Sequence, residues 1–500
     1  VATDGDCNID GKLAISGDPT IGDEVGNRDY NDSRYVFRGY GVAWDESADT
    51  YARTGALTGV ACGSSPGDSL LPTHAAIRKC LLNDSGVVEY YLDPTDGTKK
   101  VGGAAADITS GADGQVMVQI PAFHYRYACS GTTHVWEISP VPAEGFSLHP
   151  AFIKNGEFVP YRYIGAYEGV LYDASAARHT NGLQLTAGST DFVNATSAIT
   201  RVGESHPFTT LEVGDKIVVA GTVNNNGTFT VATAGDQTII VAEALVQELA
   251  VAATTITTEK DFANDILCSV SGKAPINDLT RANARAIAAK RGTGWRQQDY
   301  DLISAVQLLY LIEYADFFSQ STIGNGLTDW ISGTWDGWND YNPIERTGNS
   351  NSDGNATANT SNGDGVTGSY MSYRGIENFF GHIWDWVDGI NINANVPYVS
   401  NNDSDFADDV TTNYTALGIT LPSTNGWQNT LEQQDRGFLP ASIGAASTTK
   451  ITDYYYQEAG WRVVELGGLA SHGASAGAFC VVAGDASSFV GRSIGARLSY

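Results

Sequence analysis

The apolar positions of this chain fall mainly in short runs separated by Asp, Asn, Gly, Ser and Thr, the rhythm of strands and turns. The run over 35–44 is aromatic and β-branched and predicts a strand. Residues 1–34 carry only short apolar runs among Asp, Gly and Asn, so they are expected to form an extended arm that orders in an assembly. The globular part is then expected to start near 35. A second strand set is expected at 116–127 and 135–140, with Ser130-Gly131 at the turn. Between 177 and 260 the texture changes to Thr, Val and Ala with few aromatics. There Lys216-Ile217-Val218-Val219-Ala220, Asn226-Gly227 and Thr228-Phe229-Thr230-Val231 predict a hairpin, followed by Thr238-Ile239-Ile240-Val241. Excising this stretch joins Tyr167-Glu168 to Asp261-Phe262 in one block. Residues 177–260 therefore read as an inserted small all-β domain that splits a larger domain into 35–176 and 261–500. Helices are expected at 280–291, rich in Ala and Arg, and at 298–318, where Leu302, Ala305, Val306, Leu309 and Ile312 recur at helical intervals. Packed on the strands, they give an expected α+β class. The polar stretches 346–368 and 399–413 are expected to be long exposed loops.

Composition narrows the functions open to such a fold. The 500 residues leave ample chain for a core, and 56 glycines with only 17% charged residues suit a β- and loop-rich extracellular or virion protein. A net charge of -28, with no basic stripe, argues against nucleic acid and against anionic membranes as partners. No run of eighteen apolar residues predicts a membrane-spanning helix. Cys7, Cys62, Cys80, Cys129, Cys268 and Cys480 lack the spacing of a metal site or a disulfide framework, and are expected to be mostly small buried residues. The chain opens at Val1 without methionine, which reads as processing or trimmed numbering.

Three blocks near the C-terminal side carry a resemblance. They are Gly381-His382-Ile383-Trp384-Asp385-Trp386-Val387-Asp388, Arg462-Val463-Val464-Glu465-Leu466-Gly467-Gly468, and Ile494-Gly495-Ala496-Arg497-Leu498. In this order they resemble the C-type-lectin-like fold of formylglycine-generating enzymes and phage tropism determinants. That pattern reads roughly G-N-V-W-E-W-V-x-D, R-V-x-R-G-G-S-W and I-G-F-R, with His382, Leu469 and Ala496 as departures here. The stretch 145–169, from Gly145-Phe146-Ser147-Leu148-His149 to Tyr167-Glu168-Gly169, resembles a block of phage and prophage virion proteins. The resemblance implies that the first and last strands pair, setting 35–44 beside 493–500. It also implies that the loops between Trp384 and Arg497 display the binding face. Its signature positions are Trp384, Trp386, Asp388, Arg462, Gly467, Gly468, Gly495 and Arg497. Trp384 and Trp386, two apart, point the same way if extended, and core packing is the natural reading.

The chemistry this implies is binding. The enzymes of the family use a cysteine pair, whose positions correspond approximately to His472 and Gly477, and lone Cys480 cannot supply the two thiolates that copper chemistry needs. The eight histidines show no H-x-x-x-H or H-E-x-x-H spacing, so no zinc site and no catalytic residue is assigned. Trp338-Asn339-Asp340 is similar to the W-N-D of calcium-dependent lectins but lacks its companion motif, Asn342-Pro343-Ile344-Glu345 having the wrong order, and an ordinary aromatic turn is expected. No cofactor is expected beyond a structural calcium, for which Asp385 and Asp388 are the candidates. A receptor surface is expected at Tyr454, Tyr455 and Tyr456 and along 470–490, at His472, Ser475, Phe479, Asp485 and Phe489, since tyrosine gives amphipathic contact at low entropy cost. The alternative for the tyrosines is packing against the core or a neighbouring subunit. The segment lacks the Asn, Tyr and Ser density of a diversified face, which reads as a fixed surface. Its small residues, Ala474, Ala476, Gly477 and Ala478, also suit contact with another chain.

The expected function is a non-enzymatic phage virion protein, a tail fibre, spike or head decoration exposed on the particle. Its partners would be itself as a homo-oligomer, a trimer above all, other virion proteins, and a host-surface glycan or protein. A purely architectural protein that cements its neighbours is the alternative. An enzyme on glycans has fold analogy alone behind it, and a close pair of perturbed carboxylates in a cleft would revive it.

Overall fold

The computed structural model describes residues 39–204, 207–328, 345–361 and 369–500. The arm expected at 1–34, Cys7 and the Trp338-Asn339-Asp340 turn lie outside them. Strand makes up 39% and helix 11%, which overturns the α+β expectation: this is a β-rich protein of several sheets and a closed barrel. The two main helices form, at Arg281–Ala289 and Tyr300–Tyr314. Strands nevertheless dominate, because polar stretches also pair: Ala358–Ser361 within a stretch expected to be a loop, and Gly426–Leu431 and Pro440–Ile443, for which no element is expected from sequence.

The body holds three large sheets. A five-stranded sheet runs in the order Thr50–Gly55, Tyr40–Asp45, Thr133–Ser139, His124–Ser130, Ser147–Leu148. A seven-stranded sheet is centred on Tyr161–Gly165, Gln115–Pro121 and Arg78–Leu82. In a nine-stranded sheet, Trp384–Asn393, Trp461–Leu466, Val481–Ala483, Tyr454–Gln457 and Gly426–Leu431 lie side by side. The run expected as one strand at 116–127 is divided between two sheets. Pro121, with no N–H for a ladder, ends the first piece, and His124 begins the second.

The helix Tyr300–Tyr314 packs against both the five-stranded and the nine-stranded sheet, and each of its fifteen residues is buried. Its apolar residues spread around the whole circumference rather than along one stripe because it has neighbours on several sides. Asp299 caps its start, accepting from the Leu302 N–H at 3.0 Å, and Ala315 in the left-handed region ends it.

The terminal pairing is not the one the resemblance implies. Leu498–Ser499 pairs with Tyr161–Gly165 and with Arg296–Gln297, while both edges of Tyr40–Asp45 are already taken by Thr50–Gly55 and Thr133–Ser139.

Residues 184–258 hold the closed six-stranded barrel, with a core of its own that includes Leu185, Phe192, Ile199, Ile217, Phe229, Ile239 and Ile256. The flanking strands Val170–Asp173 and Ile266–Cys268 pair antiparallel, so the chain leaves the body and returns to it at neighbouring positions. The junction is polar: the Asn181 amide donates to Asp215 at 2.9 Å, and Lys260 meets Asp278 at 3.0 Å.

One further expectation is corrected. In the polar stretches, Thr347, Ser350 and Asn351 are buried and held by specific hydrogen bonds rather than by apolar patterning, and Phe406 is buried as well; 362–368 lie outside the described residues. Most of the described cysteines are buried as expected, Cys80, Cys268 and Cys480, with Cys62 and Cys129 half-exposed.

Candidate binding surface

In a β-ladder directly paired residues share a face. Across the nine-stranded sheet the register runs Tyr456 to Val482, Val482 to Glu465 and Glu465 to Trp386, one transverse row on one face. Tyr454, two residues from Tyr456, lies on the same face and pairs with Trp427. Trp384 joins it from the other end, two residues from Trp386. The opposite face carries Tyr455, Val481 and Leu466 into the main core against the helix Tyr300–Tyr314.

That first face packs on a second core cluster around Trp386, and along it five rings touch in sequence. Trp427 meets Tyr454 edge-on with centroids 5.2 Å apart, and Tyr454 meets Tyr456 at 4.6 Å. Tyr456 stacks on His472 at 5.1 Å, and His472 meets Trp384 edge-on, also at 5.1 Å. All five are half-buried. Ser475 hydrogen-bonds the Tyr456 side chain, and burial raises that phenol to about 12. Burial also lowers the His472 imidazole to about 4, so the row carries no charge at neutral pH. Gly467 and Gly468, at φ 90 and 79, make the turn that delivers His472; a Cβ on Gly468 would sit 2.6 Å from the Ala476 Cβ.

The row gathers four of the expected receptor residues, Tyr454, Tyr456, His472 and Ser475. It excludes others. Tyr455 and Phe479 are fully buried, so Tyr455 follows the core alternative, while Phe479, expected on the receptor surface, packs instead among Tyr310, Phe317 and Phe438. Phe489 packs at the edge of a second core cluster beside Trp384, and Asp485 faces Glu465. The expected exposed face at 470–490 is therefore largely interior, with Ala476 to Ala483 buried throughout. Its small residues serve the chain itself: Gly477 lies against the Asp453 carboxylate, which accepts from the Phe479 N–H at 2.7 Å. Sequence reasoning missed Trp427, a lone aromatic in the polar stretch 422–430. It also read Trp384 only as core, whereas this residue ends the row.

The signature positions hold the sheet together. Trp386 is buried and donates to the Leu279 carbonyl at 2.9 Å. Arg497 pairs with Asp385 at 2.9 Å and donates to the carbonyls of Gly165 and Asn378. Trp384 and Asp385 pair in parallel with Ile494 and Gly495. Arg462, half-buried, reaches Glu458 at 3.0 Å. Asp388 takes a two-point ion pair from Arg285, at 2.6 and 2.8 Å, and a third bond from Gln297. Both calcium candidates are thus engaged by arginine, and no cluster of metal-ligating side chains occurs among the described residues.

Three titratable groups near the signature blocks are enclosed by the fold. Burial holds the Cys480 thiol well above its usual range. His382 donates from Nδ1 to Glu168 at 2.6 Å while its Nε2 accepts the Glu345 N–H at 2.9 Å, so both ring nitrogens are spent inside the fold. Glu465 is fully buried, and burial followed by the neighbouring Asp485 carboxylate raises it far above the usual carboxylate range. The Glu465 oxygens are closed to solvent, so this pair forms no open acid–base site. No protein-family model and no characterised protein matches this chain.

Proposed function

We propose that this chain is a non-enzymatic surface protein of a phage particle that attaches to a neutral host-surface glycan through the row Trp427, Tyr454, Tyr456, His472 and Trp384. The observation that carries this reading is five contacting, half-buried, uncharged rings along one sheet face. Aromatic rings offer apolar surface to the C–H faces of sugars, and phenol and indole groups add hydrogen bonds at their edges. The charge of -28 disfavours anionic glycans and leaves neutral ones. The phage assignment rests on the sequence blocks at 145–169, 381–388, 462–468 and 494–498. Carried in several copies on one particle, individually weak sites gain avidity.

The test is binding of the full chain to immobilised neutral and acidic bacterial polysaccharides. Trp427→Ala and Tyr456→Ala are expected to abolish retention on the neutral set while circular dichroism is unchanged. Wild-type retention by both variants would overturn the reading. An architectural role is the second reading, favoured by the apolar side chains Val223, Val246 and Leu249, exposed by 85%, 50% and 63% on adjoining parts of the barrel. Its mark would be self-association that Val223→Asp weakens in sedimentation.

A further inference from the structure

Away from the aromatic row, Lys79 poses a separate problem. It is fully buried on the strand Arg78–Leu82, and its ammonium nitrogen has no hydrogen-bond partner. Lysine is almost never buried in this way without a counter-charge, and an isolated buried ion is strongly disfavoured. Two acids flank it without reaching it. Glu377 is fully buried, its oxygens taking the N–H groups of Gly348 and Ser350 and the Ser350 hydroxyl, each at 2.7 Å. Asp353, at the end of the turn Asn351–Asp353, has an Oδ2 closed to solvent and equally without a partner.

These groups share one small space. The Lys79 backbone N–H donates to the Asn355 side chain at 3.0 Å, which ties the strand to this turn. A Cβ on Gly97 would lie 3.5 Å from Lys79 Nζ and 3.0 Å from the Asn351 carbonyl, so the amine sits against the turn that carries Asp353. Gly375 leaves room for the lysine stem, since a Cβ there would be 2.9 Å from Cε. Burial lowers the amine to about 8, and it raises both carboxyls, so each partner is driven toward its neutral form.

We propose that Lys79 and Asp353 join in an intramolecular amide, with Glu377 as the proton relay. The neutral Nζ attacks Cγ of the protonated Asp353 carboxyl and a C–N bond forms. Glu377, itself protonated, gives its proton to the departing hydroxyl and takes up the proton released from nitrogen. The C–O bond breaks and one water leaves, with no oxidant or reductant involved. The product removes the unpartnered amine and carboxyl and ties the strand Arg78–Leu82 to the loop before Ala358–Ser361.

Intact-mass spectrometry of the purified full chain under denaturing conditions tests this. The expected result is a mass lower by one water than the sequence mass, with fragments joining the peptide of Lys79 to that of Asp353. Lys79→Met and Asp353→Ala are each expected to restore the full mass, and Glu377→Gln to leave most of the folded chain unlinked. The unmodified mass in folded wild-type protein would overturn the proposal. So would a water loss that survives Lys79→Met, as a succinimide at Asp353-Gly354 would.

Discussion

Replacing Phe479 by Ala separates core from surface within the segment that sequence alone assigns to the receptor face. The ring is fully buried, with centroids 4.8 Å from Phe317, 5.1 Å from Phe438 and 5.7 Å from Tyr310. Truncating a buried Phe costs about 3–5 kcal/mol. The middle of that range, about 4 kcal/mol, is expected because Tyr310 sits on a helix held between two sheets and has little freedom to close the void. Tyr456→Ala in the row should cost less, about 1–2 kcal/mol, since that side chain is only partly buried. Urea unfolding followed by tryptophan emission is the assay. All ten tryptophans lie outside 184–258, so the barrel is silent in this signal. With a slope of about 2–3 kcal/mol/M, the Phe479→Ala midpoint should fall by roughly 1–2 M. A shift no larger than that of Tyr456→Ala would refute the placement of Phe479 in the core.

Other outcomes can be checked on the same preparations. Arg497→Met leaves the Asp385 carboxylate buried without its guanidinium, and a loss of about 3–5 kcal/mol is expected in the urea assay. Gly477→Ala should destabilise the body without changing its association state in sedimentation, because the added methyl meets Asp453 and not another chain. Glu465 keeps in the native state a proton that the unfolded chain releases near pH 4.5, so its contribution falls as pH rises above that value toward the folded pKa. Glu465→Gln should therefore flatten the decline of stability with rising pH and exceed wild type at pH 8, read from urea midpoints across pH; an unchanged slope would contradict a neutral Glu465.

The legible parts of the fold are those fixed by local pattern. The helix Tyr300–Tyr314 follows from its apolar spacing and the Asp299 cap, and the strands near Ser130-Gly131 and Asn226-Gly227 follow from turn chemistry and β-branched runs. Long-range pairing is not written locally. Nothing in 40–45 says that both its edges are filled by 50–55 and 133–139, which is why the terminal pairing was misplaced. The site was half legible for the same reason. Alternation shows that Tyr454 and Tyr456 oppose Tyr455, but which side meets solvent depends on the helix behind the sheet. Trp427 enters the row through register with Tyr454, a relation between segments that single-sequence reading does not see. Glu465 is the more readable signal, a lone acid between Val464 and Leu466 in a mainly apolar strand, and such a residue calls for a partner or a proton.

The barrel leaves and rejoins the body through two antiparallel neighbours, Val170–Asp173 and Ile266–Cys268. To the body, everything between those strands is one closed loop, and closure entropy grows only slowly with loop length, by about 0.6 kcal/mol per doubling. The body's stability is accordingly almost indifferent to what hangs there, provided its ends meet at strand spacing. The position works as a cassette socket, where modules of very different size can be exchanged over evolutionary time, or by design, without renegotiating the core that holds the aromatic row.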